Sequence, residues 1–452
     1  MMSHEENELL CRVEGDAPMG QLMRRHWIPA LLIEEVMHAD GDPVPVRLFG
    51  EDLVAWRDTE GKVGLMDRYC PHRRASLQFG RNEDGGLRCL YHGWKVNVLG
   101  DVIEMPSEPP ESCMAQKLKH KTYPTHEHGG FVWAYMGPPE TMPEFQPPPF
   151  APTADCKVSI AKIKIDCNWA QILEGAIDSA HSSSLHSTDI TPSLGDRTKT
   201  SSTQMLRPTT DKAPRIQVQP TPYGMKYAAI RRPIQNAAIQ DYVRMTLFVA
   251  PFSVMIPPNS VYGLANVNVP IDDTHSIFYF IAWNETSEGG IDQEEWRKFL
   301  GAQVGVDLDS CYRKLRNLAN NYLQDRQAMK SGSFTGIRGI PNQDIAMWET
   351  MGPIADRTVE RLGASDQAIV SFRRVMVDAV RRFANGEPAI GSLPELRSQQ
   401  ASLRSFEGML PKASSWQHLD TREGQEKAKN LPAADTPKAT ATRQSAIDPA
   451  AA

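Results

Sequence analysis

The sequence predicts an α+β fold, in which a small all-β module precedes a larger domain built on an antiparallel sheet flanked by helices. Short strand-like segments separated by Gly, Asp and Pro fill residues 42–150, whereas residues 157–386 mix strand-like runs with helical periodicity. A proline-rich segment at 142–152 separates the two regions and has the composition of a domain boundary. The predicted divisions are an N-terminal helical segment packed on the larger domain (1–40), the all-β module (41–152), the larger domain (153–414) and a polar, poorly ordered tail (415–452).

The N-terminal segment and the all-β module are predicted from their residue patterns. Residues 18–33 mix apolar and basic side chains at helical spacing until Pro29 interrupts them. The module that follows alternates strands with turns. Its predicted strands are VPVRLFG (44–50), EDLVAWRD (51–58), KVGLMDRYC (62–70) and GGFVWAYMG (129–137).

The larger domain begins with an alternating strand at 157–166, which a helix-like segment at 168–181 follows. Several later runs are linked by Pro, Asn and Asp turns, as in an antiparallel sheet. These runs are GMKYAAI (224–230), DYVRMTLFV (241–249), NSVYGLANVNV (259–269) and HSIFYFIAW (275–283). Helices are predicted again at 292–330 and 364–386.

Composition and charge exclude several classes of protein. Forty-nine Lys and Arg residues stand against 55 Asp and Glu, a net charge of -6, so the basic surplus of a nucleic-acid binder is missing. The best apolar stretch, 246–257, is broken by Pro251 and is too short to span a bilayer. The N-terminus lacks a signal-peptide pattern, and seven scattered cysteines argue for a reducing compartment. We therefore expect a cytoplasmic enzyme without nucleic-acid or membrane partners.

The first candidate metal site lies in two short loops, Cys70-x-His72 and Cys89-x-x-His92, with sixteen residues between them. A Cys₂His₂ zinc finger pairs like ligands in sequence, whereas each loop here offers one Cys and one His. The mixed loops suit a Rieske [2Fe–2S] cluster, in which the two thiolates hold one iron and the two imidazoles hold the other. Histidine ligation raises the reduction potential of such a cluster, so it can accept electrons from a ferredoxin-like donor.

The second candidate site contains Asp178, His181 and His186. A regular helix would place the two histidines about 140° apart, so they can share a metal only if the helix distorts or ends in the serine run 182–184. Two His and one carboxylate form the facial triad of non-haem Fe(II) oxygen activation. Asp178 is better placed to orient a ligand imidazole than to act as the third ligand. The candidates for the third ligand are Asp344, which follows a Gly-rich loop, and Asp356 as the alternative.

At these motifs the chain resembles the oxygenase component of the Rieske non-haem iron oxygenases. The shared motifs are Cys70-Pro-His72, Cys89-x-x-His92-Gly-Trp, and Asn168-Trp169 followed by Glu174, Asp178, His181 and His186. The segments PMGQLMRRHWIPAL (18–31) and NQDIAMWETMGPIADRTVERLGASD (342–366) resemble the phthalate branch of that family, and the resemblance covers roughly residues 18–390.

The resemblance implies a fold and a set of residue roles. It implies a Rieske domain ahead of a helix-grip catalytic domain. In these roles, Cys70 and Cys89 hold one cluster iron, His72 and His92 hold the other, His181, His186 and Asp344 hold the mononuclear iron, and Asp178 bridges the two centres across a subunit boundary. The implied assembly is a head-to-tail homotrimer or a stacked hexamer, because a ring lets one subunit's cluster serve its neighbour's iron.

The resemblance also implies an activity and its partners. One Rieske [2Fe–2S] cluster and one mononuclear Fe(II) per subunit would use O₂ and electrons from a reductase that contains flavin and an iron–sulfur centre and is driven by NADH. The implied reaction is cis-dihydroxylation of an aromatic dicarboxylate, for phthalate at carbons 4 and 5. Within the family, the alternative is hydroxylation or O-demethylation of another aromatic acid, of the chlorobenzoate, phenoxybenzoate, isophthalate or vanillate type. A Rieske electron carrier or a zinc-binding structural protein is the alternative from another class, and it leaves His181-x₄-His186 unexplained.

A dicarboxylate substrate requires cations in the pocket, because buried carboxylates need paired, hydrogen-bonded partners and Arg binds them in bidentate fashion. Arg244 lies in a strand whose opposite face is wholly apolar, and Arg207 precedes a proline near a strand end. We therefore predict that Arg207 and Arg244 bind the two carboxylates. Arg231 and Arg232, which also precede a proline, are expected in a solvated turn.

Overall fold

The computed structural model describes residues 2–412 and 414–429 of the chain. Its helices are α1 His4–Cys11, α2 Pro18–Met23, α3 Trp169–Ile177, α4 Gln293–Leu300, α5 Arg326–Lys330, α6 Ile340–Thr350, α7 Gln367–Ala384, α8 Pro394–Gln400 and α9 Arg422–Lys429. Strands of the N-terminal half are β1 Trp27–Leu32, β2 Val44–Leu48, β3 Glu51–Arg57, β4 Val63–Asp67, β5 Arg81–Glu83, β6 Gly86–Arg88, β7 Lys95–Val96, β8 Val102–Glu104, β9 Thr125–His128 and β10 Phe131–Tyr135. The later strands are β11 Lys157–Ile165, β12 Ile190–Pro192, β13 Met205–Arg207, β14 Arg215–Thr221, β15 Gly224–Arg231, β16 Gln240–Val249, β17 Ser253–Ile256, β18 Gly263–Pro270, β19 Ser276–Asn284 and β20 Phe406–Pro411.

The N-terminal segment is helical for only part of its predicted length. Helix α2 ends at Met23, and the residues after it form β1, which pairs antiparallel with β10. Pro29 has no N–H to donate within a helix, whereas β1 accommodates it at the site of a register shift. Ile28 and Leu31 of this strand are fully buried. The helical spacing that the sequence shows ahead of Pro29 therefore forms a helix only as far as Met23.

The all-β module contains two small antiparallel sheets, β2-β3-β4 and β5-β6-β7-β8, beside the sheet β1-β10-β9. It has a hydrophobic core of its own, centred on the buried indole rings of Trp56 and Trp94. The main core of the protein includes residues from β1, β2 and β10 as well as from the larger domain. The domain divisions at 41, 153 and 415 stay predictions.

The larger domain is built on an antiparallel sheet with the strand order β11-β19-β18-β17-β16-β15-β14. Strand β20 pairs with the first half of β16, whose second half pairs with β17. Helix α7 packs on β14 and β15, and α3 packs on β17 and β18. The sheet thereby presents residues of β15 and β16 towards the segment that follows α3.

Two expectations about the C-terminal half need correction. The helices predicted over 292–330 cover only part of that range, as α4 and α5. Gly301 ends α4 in the left-handed conformation, and residues 301–317 follow an irregular path stabilised by turns. Residues 415–429 of the predicted tail are packed: Trp416 and Leu419 belong to the core, and Asp420 pairs with Lys226 at 2.7 Å. The rest of the predicted tail, residues 430–452, lies outside the described residues.

Two further findings concern the whole described chain. No helix within residues 2–412 and 414–429 combines the length and the apolar character that crossing a membrane requires. All seven cysteines lie in this part of the chain, and each of them is free.

Candidate metal centres and substrate cavity

The two predicted cluster loops have the same backbone geometry. In each loop the N–H of the cysteine donates to the carbonyl five residues later, at 2.8 Å for both Cys70 and Cys89. The carbonyl of each cysteine accepts from the N–H four residues later, at 3.0 Å in both loops. Both cysteine side chains are buried. Two matched loops can therefore present two thiols and two imidazoles to one group between them.

The side chains of these loops fit a metal cluster. The rings of His72 and His92 lie 4.5 Å apart, and His72 stacks on Trp94 at the same distance. The Nδ1 atom of His72 is buried and has no hydrogen-bond partner among the described residues, which suits a nitrogen that binds a metal. Burial raises the pKa of Cys70 to about 11, and the adjacent Cys89 raises it further. Hydrogen bonds from the backbone of the loop lower this pKa but do not cancel the rise. A bound metal would displace that proton.

The second site depends on where α3 ends. Asn168 caps the helix by accepting from the N–H of Ala170 at 3.0 Å, and the helix ends at Ile177, before the serine run. His181 then begins a short 3₁₀ turn. This change of path brings the Nε2 atoms of His181 and His186 to 3.2 Å from each other. The helix predicted to residue 181 thus ends four residues early. Because it ends, the two histidines come together without a distorted helix.

Helix α6 brings a carboxylate to these two histidines. The Oδ1 atom of Asp344 lies 3.0 Å from Nε2 of His186 and 3.5 Å from Nε2 of His181. One ligand atom from each of His181, His186 and Asp344 lies within 4.8 Å of the other two, so these three side chains, called the triad below, could hold one metal ion. Asp356 is exposed and accepts from Thr358, away from the group, so the geometry favours Asp344 over Asp356. Burial opposes the charged form of His186, but Asp344 outweighs it and raises the pKa of that imidazole.

Gln343 fixes the orientation of His186, a role that the sequence did not reveal. Its Oε1 lies 2.8 Å from Nδ1 of His186, and its Nε2 donates to Asp189 and to the carbonyl of Ile337, both at 2.9 Å. Because both amide hydrogens have acceptors, Oε1 must accept from Nδ1–H of His186. The Nε2 atom of His186 is then unprotonated, and its lone pair faces Asp344 and His181. The one sequence signal was its position next to Asp344.

Asp178 lies beside the triad and contacts one of its histidines. Its Oδ2 is 3.5 Å from Nδ1 of His181, and its Oδ1 accepts from the N–H of Ala180 at 2.7 Å. Burial opposes ionisation, but His181 and the backbone N–H groups lower the pKa of Asp178 below its usual range. Asp178 thus contacts His181, the histidine that the predicted bridge requires on this side, while the bridging role itself stays a prediction. That role needs a second contact, with a cluster histidine of a neighbouring subunit.

A cavity of about 690 Å³ opens onto the triad. Its apolar walls include Phe278, Leu264 and Trp348. The predicted residues Arg207 and Arg244 also line it, and both are buried. The structure therefore brings the two arginines and the triad together around one space.

Both cavity arginines are held by uncharged groups. Arg244 donates to the carbonyls of Pro257 and Pro258, at 2.6 and 3.0 Å. Arg207 donates to Asn259 at 2.9 Å and to Ser182 at 2.7 Å. Within residues 2–412 and 414–429, neither forms an ion pair. Burial, together with nearby Arg244, lowers the pKa of Arg207, as expected for cations that lack an anion.

The expectation that Arg231 and Arg232 form a solvated turn is wrong for Arg231. Strand β15 continues through Arg231, which pairs with Tyr242 of β16 and is 2% exposed. Alternation along the strand directs Arg231 to the face that also carries Tyr227 of the cavity. Arg232 lies past the strand end and is exposed, as expected.

Comparison with protein families gives two matches. The Rieske [2Fe–2S] domain model matches residues 26–124, and the LigXa C-terminal domain like model matches residues 134–440. The second match alone covers more than half of the chain.

Two named proteins of similar sequence are oxygenase subunits of dioxygenases. The chain is 62% identical to the phthalate 4,5-dioxygenase oxygenase subunit of Pseudomonas putida, over 93% of this chain and 95% of that protein. It is 36% identical to the 3-chlorobenzoate-3,4-dioxygenase oxygenase subunit of Comamonas testosteroni, over 91% and 96% of the two chains. Among solved structures, the terminal oxygenase of carbazole 1,9a-dioxygenase from Novosphingobium sp. KA1 matches with a TM-score of 0.52 and 22% identity, over 83% of this chain and 98% of that one. The structural match supports the fold.

Proposed function

Because the chain belongs to the Rieske non-haem iron oxygenases, we propose that it is the oxygenase subunit of a phthalate 4,5-dioxygenase system. The proposed reaction is cis-dihydroxylation of an aromatic dicarboxylate with O₂ and electrons that originate from NADH. The observation that carries the proposal is the pair of buried, anion-free arginines, Arg207 and Arg244, in the cavity that contains the triad. The 62% identity to a protein of that name supports the same substrate.

The enzyme uses a Rieske [2Fe–2S] cluster and a mononuclear iron. When bound, the cluster supplies single electrons and the iron activates O₂. We propose as cluster ligands Cys70, His72, Cys89 and His92. The proposed iron ligands are His181, His186 and Asp344.

The protein's own part in the reaction is to bind and orient the substrate. Arg207 and Arg244 each bind one carboxylate, because desolvated carboxylates need fixed cations and the planar guanidinium can donate two hydrogen bonds. The apolar wall formed by Phe278 and Leu264 packs on the ring and excludes water. In phthalate, carbons 4 and 5 lie at the end of the ring opposite the carboxylates. Binding both carboxylates to the arginines therefore leaves these carbons free to face the triad.

The proposed assembly joins the two centres of neighbouring subunits. Asp178 contacts His181 on one side, and we propose that its carboxylate binds a cluster histidine of the adjacent subunit on the other. This contact requires a head-to-tail ring, a homotrimer or two stacked trimers. As an oxygenase subunit, the chain needs a reductase, and a reductase with flavin and an iron–sulfur centre is the proposed partner. A cytoplasmic location belongs to the same proposal, since NADH is the proposed electron source.

Product analysis with ¹⁸O₂ tests the proposed reaction. The protein, loaded with cluster and iron and supplied with a matched reductase, is expected to convert phthalate to a dihydrodiol that carries two labelled oxygen atoms. Benzoate, which has one carboxylate, serves as the matched control and is expected to react at least tenfold more slowly. A phenol with one labelled atom, or release of formaldehyde from a methoxylated acid, would instead support the alternative within the family.

A further inference from the structure

Arg231 is a buried cation that the protein leaves incompletely bonded. Its Nη2 donates to the carbonyl of Ser179 at 2.6 Å. Among the described residues, neither its Nε nor its Nη1 has a hydrogen-bond partner, and no carboxylate lies within ion-pair distance. A buried guanidinium without an anion carries a high desolvation cost. An exchangeable anion from solution would satisfy the two free donors.

Arg231 lines a second cavity that adjoins the iron-site cavity. This second cavity has a volume of about 450 Å³. It shares Ser182, Ile190 and Arg207 with the first cavity, so these three side chains form the partition between the two. The hydrogen bond from Arg207 to Ser182, 2.7 Å long, lies within that partition. A ligand in the second cavity would therefore lie next to one of the proposed substrate arginines.

The charges around the second cavity favour an anion. Arg231, Arg207 and the exposed Lys212 line it. One carboxylate, Asp211, also lines it, but its two oxygens accept from the backbone N–H groups of residues 213 and 232, both at 3.0 Å. Hydroxyl groups, including that of Ser187, supply further donors at its wall. The lining thus offers three cations and free hydrogen-bond donors against one engaged carboxylate.

The sheet places Arg231 in line with the iron-site cavity. Tyr227 and Arg231 lie on the same face of β15, and their partners on β16 are Thr246 and Tyr242. Arg244, also on β16, is paired with the small residue Ala229 between them. Two residues along a strand span about 6.6 Å, so the row of polar side chains continues from one cavity to the other. Burial and the nearby Arg244 lower the pKa of Arg231 to about 10, which is consistent with a site that lacks its anion.

We propose that the second cavity binds the carboxylate of an aromatic acid between Arg231 and Arg207, as a waiting position next to the iron-site cavity. A carboxylate held there can move from Arg231 to Arg207 without losing contact with a cation. The use of the site as a waiting position rests on the proposed function, whereas anion binding at Arg231 does not. The protein would then have two binding sites for aromatic acids, one in the iron-site cavity and one in the second cavity.

Calorimetric titration of phthalate into the protein, loaded with cluster and iron but without O₂ and reductase, tests the proposal. The wild type is expected to bind two phthalates per chain at two classes of site. The iron-site class is the cavity that contains the triad, and the second class is the second cavity. Arg231→Met is expected to retain the iron-site class and to lose the second class, with affinity reduced at least tenfold. Arg232→Met removes the adjacent exposed arginine and is expected to retain both classes. Arg244→Met is expected to weaken the iron-site class and to retain the second.

The outcomes separate the two proposals. One phthalate per wild-type chain, or an Arg231→Met protein that still binds two, would overturn the second site. An Arg244→Met protein with an unchanged iron-site class would overturn the substrate assignment and leave the second site standing. Crystals of the wild type soaked in 4-bromophthalate need no variant: an anomalous bromine peak in the second cavity supports the site. A bromine peak confined to the iron-site cavity contradicts it.

Discussion

The orientation of the His186 imidazole, a proposed iron ligand, depends on an amide that lies outside the triad. Gln343 is buried, and its two amide hydrogens are held by Asp189 and the carbonyl of Ile337. Its oxygen therefore has one orientation, and so does the ring of His186 that donates to it. Removing a group that orients a ligand imidazole in this way commonly weakens metal binding by about 10- to 100-fold.

Replacing Gln343 is expected to weaken iron binding without affecting the cluster. In Gln343→Ala, the ring of His186 loses its acceptor, so we expect the dissociation constant for Fe(II) to rise by about 10-fold or more. Iron titration of the metal-depleted protein measures this constant, and the visible absorbance of the Rieske cluster reports that the other centre is intact. Gln327→Ala, at an exposed position of α5, is the control. Equal iron affinity in the two variants would contradict the role given to Gln343.

Among individual residues, the sequence predicted best where ligands are close together in the chain. The two cluster loops each carry a Cys and a His within four residues, so their spacing already defined a site. Asp344 was one of two open candidates, and the structure favours it because α6 brings it to His186. The burial of Arg231 depends on how far β15 pairs with β16, and the pattern Arg-Arg-Pro contains no information on that pairing.

At the scale of elements, a buried ion cluster connects α3 to the C-terminal region. Glu174 of α3 pairs with Arg357 at 2.8 Å and with Arg373 of α7 at 2.7 Å. These ion pairs fix the position of α3, and Asp178 and His181 follow directly after the end of that helix. Burial raises the pKa of Glu174, but the two arginines outweigh it, so the pKa of this carboxyl lies below its usual 4.5.

The pKa of Glu174 gives a pH dependence with a defined sign. A carboxyl whose pKa is lower in the folded than in the unfolded chain stabilises the fold above the unfolded value, and this stabilisation is lost as pH falls through the folded pKa. Glu174→Gln leaves the buried guanidinium of Arg357 without a carboxylate, whereas Arg373 keeps Glu360, and the variant is expected to cost about 3–5 kcal/mol at pH 7. The loss of stability below about pH 4.5 is expected to be smaller in this variant.

Urea unfolding followed by tryptophan fluorescence between pH 7 and about pH 3 measures both effects of Glu174→Gln, because this range extends below the unfolded pKa of the carboxyl. Glu288→Gln, at an exposed loop position, is the control and is expected to follow the wild-type curve. If the curves of Glu174→Gln and wild type run parallel down to about pH 3, the ion cluster does not have the proposed energetic role.

The C-terminal segment is a second element whose importance can be measured. Residues after β20 had the polar composition of a loose tail, yet Leu419 is fully buried in the main core. Leu419→Ala is expected to lower the free energy of unfolding by about 2–5 kcal/mol, because it leaves a cavity. Thermal unfolding measures the loss, with His418→Ala at the exposed neighbouring position as the control. A change below about 0.5 kcal/mol would show that this segment does not contribute to the core.

The elements themselves were predicted unevenly, for physical reasons. Strands with clear alternation, such as the one predicted at 157–166, match the structure closely, since β11 covers Lys157–Ile165. The helices predicted at 292–330 form only in part, as α4 and α5, because Gly301 ends α4 and the polar residues after it form turns. Two apolar residues in a polar segment, Trp416 and Leu419, are too few for a periodicity argument but sufficient to fix the segment on the core.

At the scale of the whole molecule, the two centres of one chain are not joined by direct contacts. In the described residues, Asp178 is bonded to His181 and to nearby backbone, and neither His72 nor His92 contacts it. The proposed path for electrons therefore runs between chains of a ring.

Mixing two defective chains tests transfer between subunits. Cys89→Ser removes a proposed cluster ligand, and His186→Ala removes a proposed iron ligand, so each protein alone is expected to be inactive. In a co-expressed, random 1:1 ring, one contact in four joins an intact cluster to an intact iron site, which gives about a quarter of wild-type activity. Separately purified proteins, mixed without exchange of subunits, are the control. Complete inactivity of the co-expressed rings would show that electrons travel within one chain.

The cavity residues come from two kinds of element in the catalytic domain, with separate proposed roles. The triad comes from the turn after α3 and from α6, whereas Arg207 and Arg244 come from β13 and β16. Under the proposed roles, mutations in the strands change which aromatic compounds the cavity accepts while the proposed iron ligands remain as they are. Retargeting the enzyme towards neutral or singly charged pollutants then becomes a matter of redesigning a few strand positions, and relatives that degrade different aromatic compounds can diverge by the same route.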